Sequence, residues 1–203
     1  MYRLVRYSSI LIIVLMACSK DSYLRLNASG TTSGYIPDYS SEKRFRSNEG
    51  DTITLRRIAR QDFYERSDQD LATGGSLPDL DFVELQRTNL VIGSDTPYLR
   101  FTFDLLTRYN SSLPTRAEDE MMITFEEEAG TSPATIELLY TDSLRCISER
   151  CAYQDTFILQ LRSFNKVYFT RRDSVSRNAL YIDGSNGLIG FKTSDNRIFE
   201  LIP

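Results

Sequence analysis

Histidine and tryptophan are absent from the 203 residues, lysine occurs four times, and there are three cysteines. Without histidine, neither a Ser-His-Asp nor a Cys-His constellation can be assembled. Three cysteines with no imidazole also fall short of the four ligands of a structural zinc site. No P-loop, G-x-G-x-x-G or G-x-S-x-G stretch occurs with the flanks it requires. A basic excess is missing as well: 24 Lys and Arg face 28 Asp and Glu, a net charge of -4, which argues against nucleic acid as a partner. These absences leave no catalytic residue, metal ligand or cofactor site to name.

Long apolar runs are missing too. The one run present, Ile10 to Ala17, is well short of the roughly 20 residues that cross a bilayer as a helix. Arg3 and Arg6 precede it, and the chain turns polar directly after Cys18. A basic start followed by a short apolar core reads as a secretory signal. The segment "LMACSK" (residues 15–20) replaces the usual small-residue cleavage site with Leu-x-Ala-Cys. This order resembles the lipobox of bacterial lipoproteins. The resemblance implies removal of residues 1–17, a diacylglycerol on the Cys18 thiol, and the membrane as a partner through that anchor. Two or more acyl chains hold stably where a single chain is marginal. A plain signal peptide, or a short anchor that merely contains a cysteine, is the alternative.

Loss of Arg3 and Arg6 leaves 22 basic and 28 acidic residues, a mature charge of -6. Arginine outnumbers lysine 20 to 4, which favours planar, bidentate pairing with carboxylates. With Cys18 assigned to lipid, Cys146 and Cys151 remain as an even pair in "CISERC". An oxidising compartment allows them to close. The predicted disulfide spans a tight loop and contributes about 2 kcal/mol on the loop-entropy model.

From Cys18 to Gly50 serine, glycine, threonine and charges dominate, so little apolar area offsets the cost of ordering. A flexible tether is expected there, followed by one domain over 51–203. From Asp51 the period is two. Leu99, Phe101, Phe103 and Leu105 share a face, as do Met121, Ile123 and Phe125, and as do Phe157, Leu159 and Leu161. Such alternation marks half-buried strands. Further strands are expected at 51–59, 80–92 and 166–170 and in three runs after Asn178. The expected fold is mainly β, an antiparallel β-sandwich or an open β-barrel, with one short helix possible. The segment 132–145 fits either state: Ser132 and Pro133 can open a helix, whereas Ile136, Leu138 and Tyr140 alternate as in a strand.

Near the C-terminus, "DGSNG" and "TSDN" are turn clusters separating three short strands. Gly184 and Gly187 in the first and Asn196 in the second are the positions expected to supply positive φ. The residues Val167, Tyr168, Tyr181, Gly187, Leu188, Ile189, Phe191, Phe199 and Leu201 resemble the closing module of small lipoproteins of the Bacteroidota. That resemblance implies an extracytoplasmic β-rich domain at the outer membrane, facing the periplasm or the cell surface, and leaves the activity open. Three function classes follow: a non-catalytic binding module for an envelope protein or a glycan, an assembly accessory, or a carboxylate-dependent hydrolase. The acids available to a hydrolase include Glu84, Asp104, Glu126, Glu127, Glu128 and Glu137. The acidic stretches at 67–70, 79–81 and 126–128 lack the spaced Asp-x-Asp-x-Asp-Gly calcium loop.

Overall fold

The computed structural model describes residues 23–36, 39–68, 82–109, 117–127, 133–171 and 177–203. Cys18 and Glu128 lie outside them. Thirteen strands are present among the described residues, in chain order β1 Tyr23–Leu26, β2 Lys43–Ser47, β3 Thr52–Asp68, β4 Phe82–Asp95, β5 Tyr98–Tyr109, β6 Ala117–Glu127, β7 Ala134–Tyr140, β8 Leu144–Cys146, β9 Cys151–Leu159, β10 Arg162–Thr170, β11 Ala179–Asp183, β12 Gly187–Lys192 and β13 Ile198–Leu201. One short helix, α1, covers Gly30–Gly34. No helix among the described residues is long and apolar enough to cross a membrane.

The strands form an up-and-down circuit. The order runs β8-β7-β6-β5-β4-β3-β2-β13-β12-β11-β10-β9, with every neighbour antiparallel. The result is a nearly closed, barrel-like sheet. The circuit opens at one seam, between β8 and β9, which follow each other in sequence. β3 serves two neighbours in turn: Thr52–Leu55 pairs with β2, and Arg56–Asp68 pairs with β4. From Arg56 to Arg66 this strand is exposed on both faces.

Alternation fills the interior. Leu99, Phe101, Phe103 and Leu105 of β5 and Met121, Ile123 and Phe125 of β6 are all buried. Phe101 and Phe125 stack at 4.6 Å, and Phe191 of β12 packs against both at 4.9 and 5.4 Å. Phe191 also meets Phe199 at 4.9 Å and Phe45 at 5.5 Å. One ring therefore joins β5 and β6 to β2 and β13 on the other side of the barrel, and aromatic pairs of this kind add to simple burial.

Three expectations need correction. The tether expected over residues 18–50 does not extend to Gly50: β1 pairs in parallel with the start of β4, and β2 closes the circuit between β3 and β13. Polar composition concealed this because few, large residues do the burying: Tyr35, Ile36, Tyr39 and Phe45 all join the main core. Next, the alternation of Phe157, Leu159 and Leu161 breaks at a turn. Gln160 has φ 48°, β10 begins at Arg162, and Leu161 is 97% exposed. Finally, the first C-terminal turn takes positive φ at Gly187 and not at Gly184, while Asn196 has φ 72° as its residue type suggests. The ambiguous segment 132–145 is resolved as β7 and β8, with Ile136 and Leu138 fully buried.

Residues 29–36 together with Tyr39 plug the barrel at the end where β4, β6 and β12 begin. Ser29 caps α1 by accepting from the Thr32 N–H at 3.1 Å. Asp119 of β6, 2% exposed, holds the plug. It accepts from the Ser29 N–H at 2.8 Å, from the Thr107 hydroxyl at 2.9 Å, and from the Thr32 hydroxyl. A buried carboxylate needs such donors, because left unpaired it would cost several kcal/mol. Deeper in, the Tyr39 hydroxyl accepts from the Leu188 N–H at 3.1 Å. Burial holds the Tyr39 phenol well above its ordinary pKa.

Candidate functional site: the cleft along the open seam

The seam between β8 and β9 is closed by side chains in place of a strand ladder. The Cys146–Cys151 disulfide bridges it, with a Cα–Cα distance of 5.5 Å. The Tyr168 hydroxyl of β10 reaches across it and donates to the Leu144 carbonyl of β8 at 2.6 Å. The intervening loop is tied at both sides: the Ile147 N–H donates to the Glu137 carbonyl at 3.0 Å, and the Arg171 N–H donates to the Arg150 carbonyl at 2.6 Å.

Along this seam runs a cleft of about 640 Å³, within the range of small-ligand sites. Tyrosines form one wall. Tyr35 of the plug meets Tyr168 edge-on at 5.8 Å, and Tyr168 in turn supports Tyr153 of β9 at 4.9 Å. The three rings form a column from the buried plug to the surface, where Tyr153 is 42% exposed. Tyr140 of β7 lines the cleft as well. Burial raises the Tyr35 phenol from about 10 to about 12 and pushes Tyr168 further still. Both hydroxyls are therefore neutral at any physiological pH.

Charge along the cleft has one dominant sign. Arg145, Lys166 and Arg171 line it with a single carboxylate, Asp142. None of the three cations has an ion-pair partner among the described residues; Arg44, Arg46, Arg66 and Arg177 elsewhere share that state, whereas many other arginines are matched. Arg87 pairs with Asp104 and Glu65, Arg100 with Asp95, and Arg197 with Asp195 and Asp51. Lys166 has φ 54°, an uncommon conformation for a non-glycine residue. On both sides of it the ladder keeps one register, Asn165 opposite Thr156 and Val167 opposite Gln154. The twist at Lys166 lets Phe164 and Val167 both join a small cluster outside the barrel while Tyr168 joins the main core.

The acids singled out in the sequence are not brought together here. Glu84 is matched to Arg25 at 2.6 Å, Asp104 to Arg87 at 3.1 Å, and Glu127 accepts from the Ser194 N–H at 2.9 Å. Glu126 stands opposite Arg100 and Glu137 opposite Met122 in the strand ladders. Among the described residues no group of three or more His, Cys, Asp or Glu side chains is placed to hold a metal ion. The cysteine pair, read from the sequence as a disulfide, borders the cleft. Of its aromatic and basic lining, Tyr140 and Tyr168 stand out in the sequence only as strand residues and the others not at all, because the residues come from the plug and from four separate strands and loops.

No family model matches the chain, and no curated protein or solved structure does either. The functional reading therefore rests on the residues themselves.

Proposed function

We propose that the protein is an outer-membrane lipoprotein anchored through Cys18, and that its barrel is a non-catalytic binding module of the cell envelope that captures its ligand in the seam cleft. One observation carries the reading: the cleft combines a supported, exposed aromatic ring with three cations that lack carboxylate partners among the described residues. Such a surface can hold a ligand by contact and charge. Hydrolysis by two carboxylates would require a second acid beside Asp142, and the lining contains none. The disulfide fits an exported chain, since such bonds persist in oxidising compartments.

The short leader to the fold adds an orientation. Five Cα–Cα steps separate Cys18 from Tyr23, a reach of about 17 Å at full extension. Tyr23 pairs with Phe82, the first residue of β4, so the plugged end of the barrel is held close to the bilayer. Labelled palmitate should enter the wild-type protein in its native host and not Cys18→Ala. Retention of label by Cys18→Ala, or a soluble wild-type protein, would refute the anchor. Protease treatment of intact cells then separates the cell surface from the periplasm.

A second reading, an assembly accessory, draws on the β3 edge. Arg56 to Arg66 lies beyond the end of β2 and exposes Ile58, Phe63 and Tyr64, and an unpaired edge can accept a partner's strand. Crosslinking from residue 63 to an envelope protein in intact cells would favour it.

A further inference from the structure

Resting on the capture reading above, we infer that the seam cleft binds an acidic saccharide, its anionic groups held by Arg145, Lys166 and Arg171 and a sugar face laid on Tyr153. Charge supplies the first argument. The chain carries a net charge of -4, so cations have abundant carboxylates to pair with, and several arginines do pair. In the cleft the excess is positive, because one carboxylate faces three cations. A concave wall carrying one sign of charge focuses the field and concentrates ligands of the opposite sign. Guanidinium groups in particular match the planar fork of a carboxylate or the oxygens of a sulfate or phosphate.

The rings supply the second argument. Tyr153 is partly open to solvent, and its ring is braced from below by Tyr168, which is braced by Tyr35. A braced ring presents an apolar face at little entropic cost; its hydroxyl already donates to Asp155 at 2.6 Å, and that of Tyr168 to the Leu144 carbonyl, so these phenols offer a ligand acceptor oxygens. This suits a sugar ring, with C–H groups on its faces and hydroxyls at its rim. Single-stranded nucleic acid would need a series of open rings on which successive bases stack. Here Tyr153 is the open cleft tyrosine, while Tyr140 is half-buried and Tyr35 and Tyr168 are buried. The volume of about 640 Å³ admits a short stretch of glycan and excludes a broad protein face.

The test uses the full chain purified in detergent with its disulfide intact, and calorimetry with five probes: an oligogalacturonate, a sulfated heparin oligosaccharide, a neutral cello-oligosaccharide of equal length, polyglutamate and inorganic phosphate. Binding of at least one acidic saccharide is expected, weakened by salt, with the other three probes much weaker. Carboxylate and sulfate arms tell which anion is preferred. Arg145→Gln and Arg171→Gln should each weaken binding about tenfold. Lys166→Asn should act similarly, because asparagine tolerates positive φ and the fold is kept. Tyr153→Ala should weaken binding as well. Equal binding of the neutral probe, lost with Tyr153→Ala and retained in the charge variants, would overturn the acidic-saccharide inference and leave capture by the cleft standing. Polyglutamate or phosphate bound as tightly as the saccharides would overturn it too, by making the site a general anion site. No binding of any probe would also overturn it. In that case, failure of a photocrosslinker at residue 153 to capture anything in native cells would remove the capture reading as well.

Discussion

Removing the Cys146–Cys151 disulfide should weaken both the fold and the cleft, and the two effects can be separated. The bond closes a loop with a sequence separation of five. On the chain-entropy model a loop of this size restricts the unfolded chain by about 2 kcal/mol. In the folded state the bond bridges the sheet's open seam, where the Tyr168 hydroxyl on the Leu144 carbonyl is the neighbouring tie. Cys151 is buried and Cys146 packs against the same core, so serine at both positions adds a small polar burial cost. A Cys146→Ser/Cys151→Ser variant should therefore lose about 2 to 3 kcal/mol. With no tryptophan in the chain, urea unfolding is followed by tyrosine fluorescence and far-ultraviolet dichroism. Native hydrogen exchange should accelerate mainly in β8 and the start of β9, since β10 to β13 remain paired. An unchanged urea midpoint, or faster exchange spread evenly through the barrel, would refute the seam argument.

Phe191→Ala should cost about 3 to 5 kcal/mol, because the ring meets four others across the barrel; a loss under about 1 kcal/mol in urea unfolding would contradict that role. Asp119→Ala leaves the Ser29 N–H and the Thr107 hydroxyl without their acceptor, at about 1 to 3 kcal/mol per orphaned group. Limited proteolysis should then cut first within 29–36, and first cleavage in the barrel strands would count against a plug held by Asp119. Burial raises the phenols of Tyr35, Tyr39 and Tyr168 above their ordinary value of 10.0. The folded state thus keeps protons that the unfolded chain releases, so stability is fully present below pH 10 and falls as pH rises through Tyr35's value of about 12. A melting temperature flat from pH 9 to about 11.5 would be inconsistent with those buried phenols.

Period-two alternation made β5 and β6 legible, with their expected residues inside, whereas β7 fits a helix as well and is settled only by the structure. It failed where a turn interrupts an apolar stretch, since Gln160 and Leu161 continue the pattern in sequence while the backbone reverses direction. It also failed for residues 24–36 and 39–50, where Tyr35, Tyr39 and Phe45 are diluted by serine and glycine yet fill the barrel mouth and its closing strand. The cysteine pair was legible because its count is even once Cys18 is set aside. The cleft beside it was not. Tyr35, Tyr153 and Tyr168 are distant in sequence and look like ordinary core or strand residues, and Arg145, Lys166 and Arg171 form a group only once the fold brings them to one cleft.

The most direct measurement on the central claim is hydrogen exchange of the full chain with and without a soluble glycan fraction from the native host's surroundings. Capture in the seam predicts slowed exchange at 140–153 and 166–171, lost on Arg171→Gln with Tyr153→Ala. Slowed exchange confined to the β3 edge, or none anywhere, would contradict it.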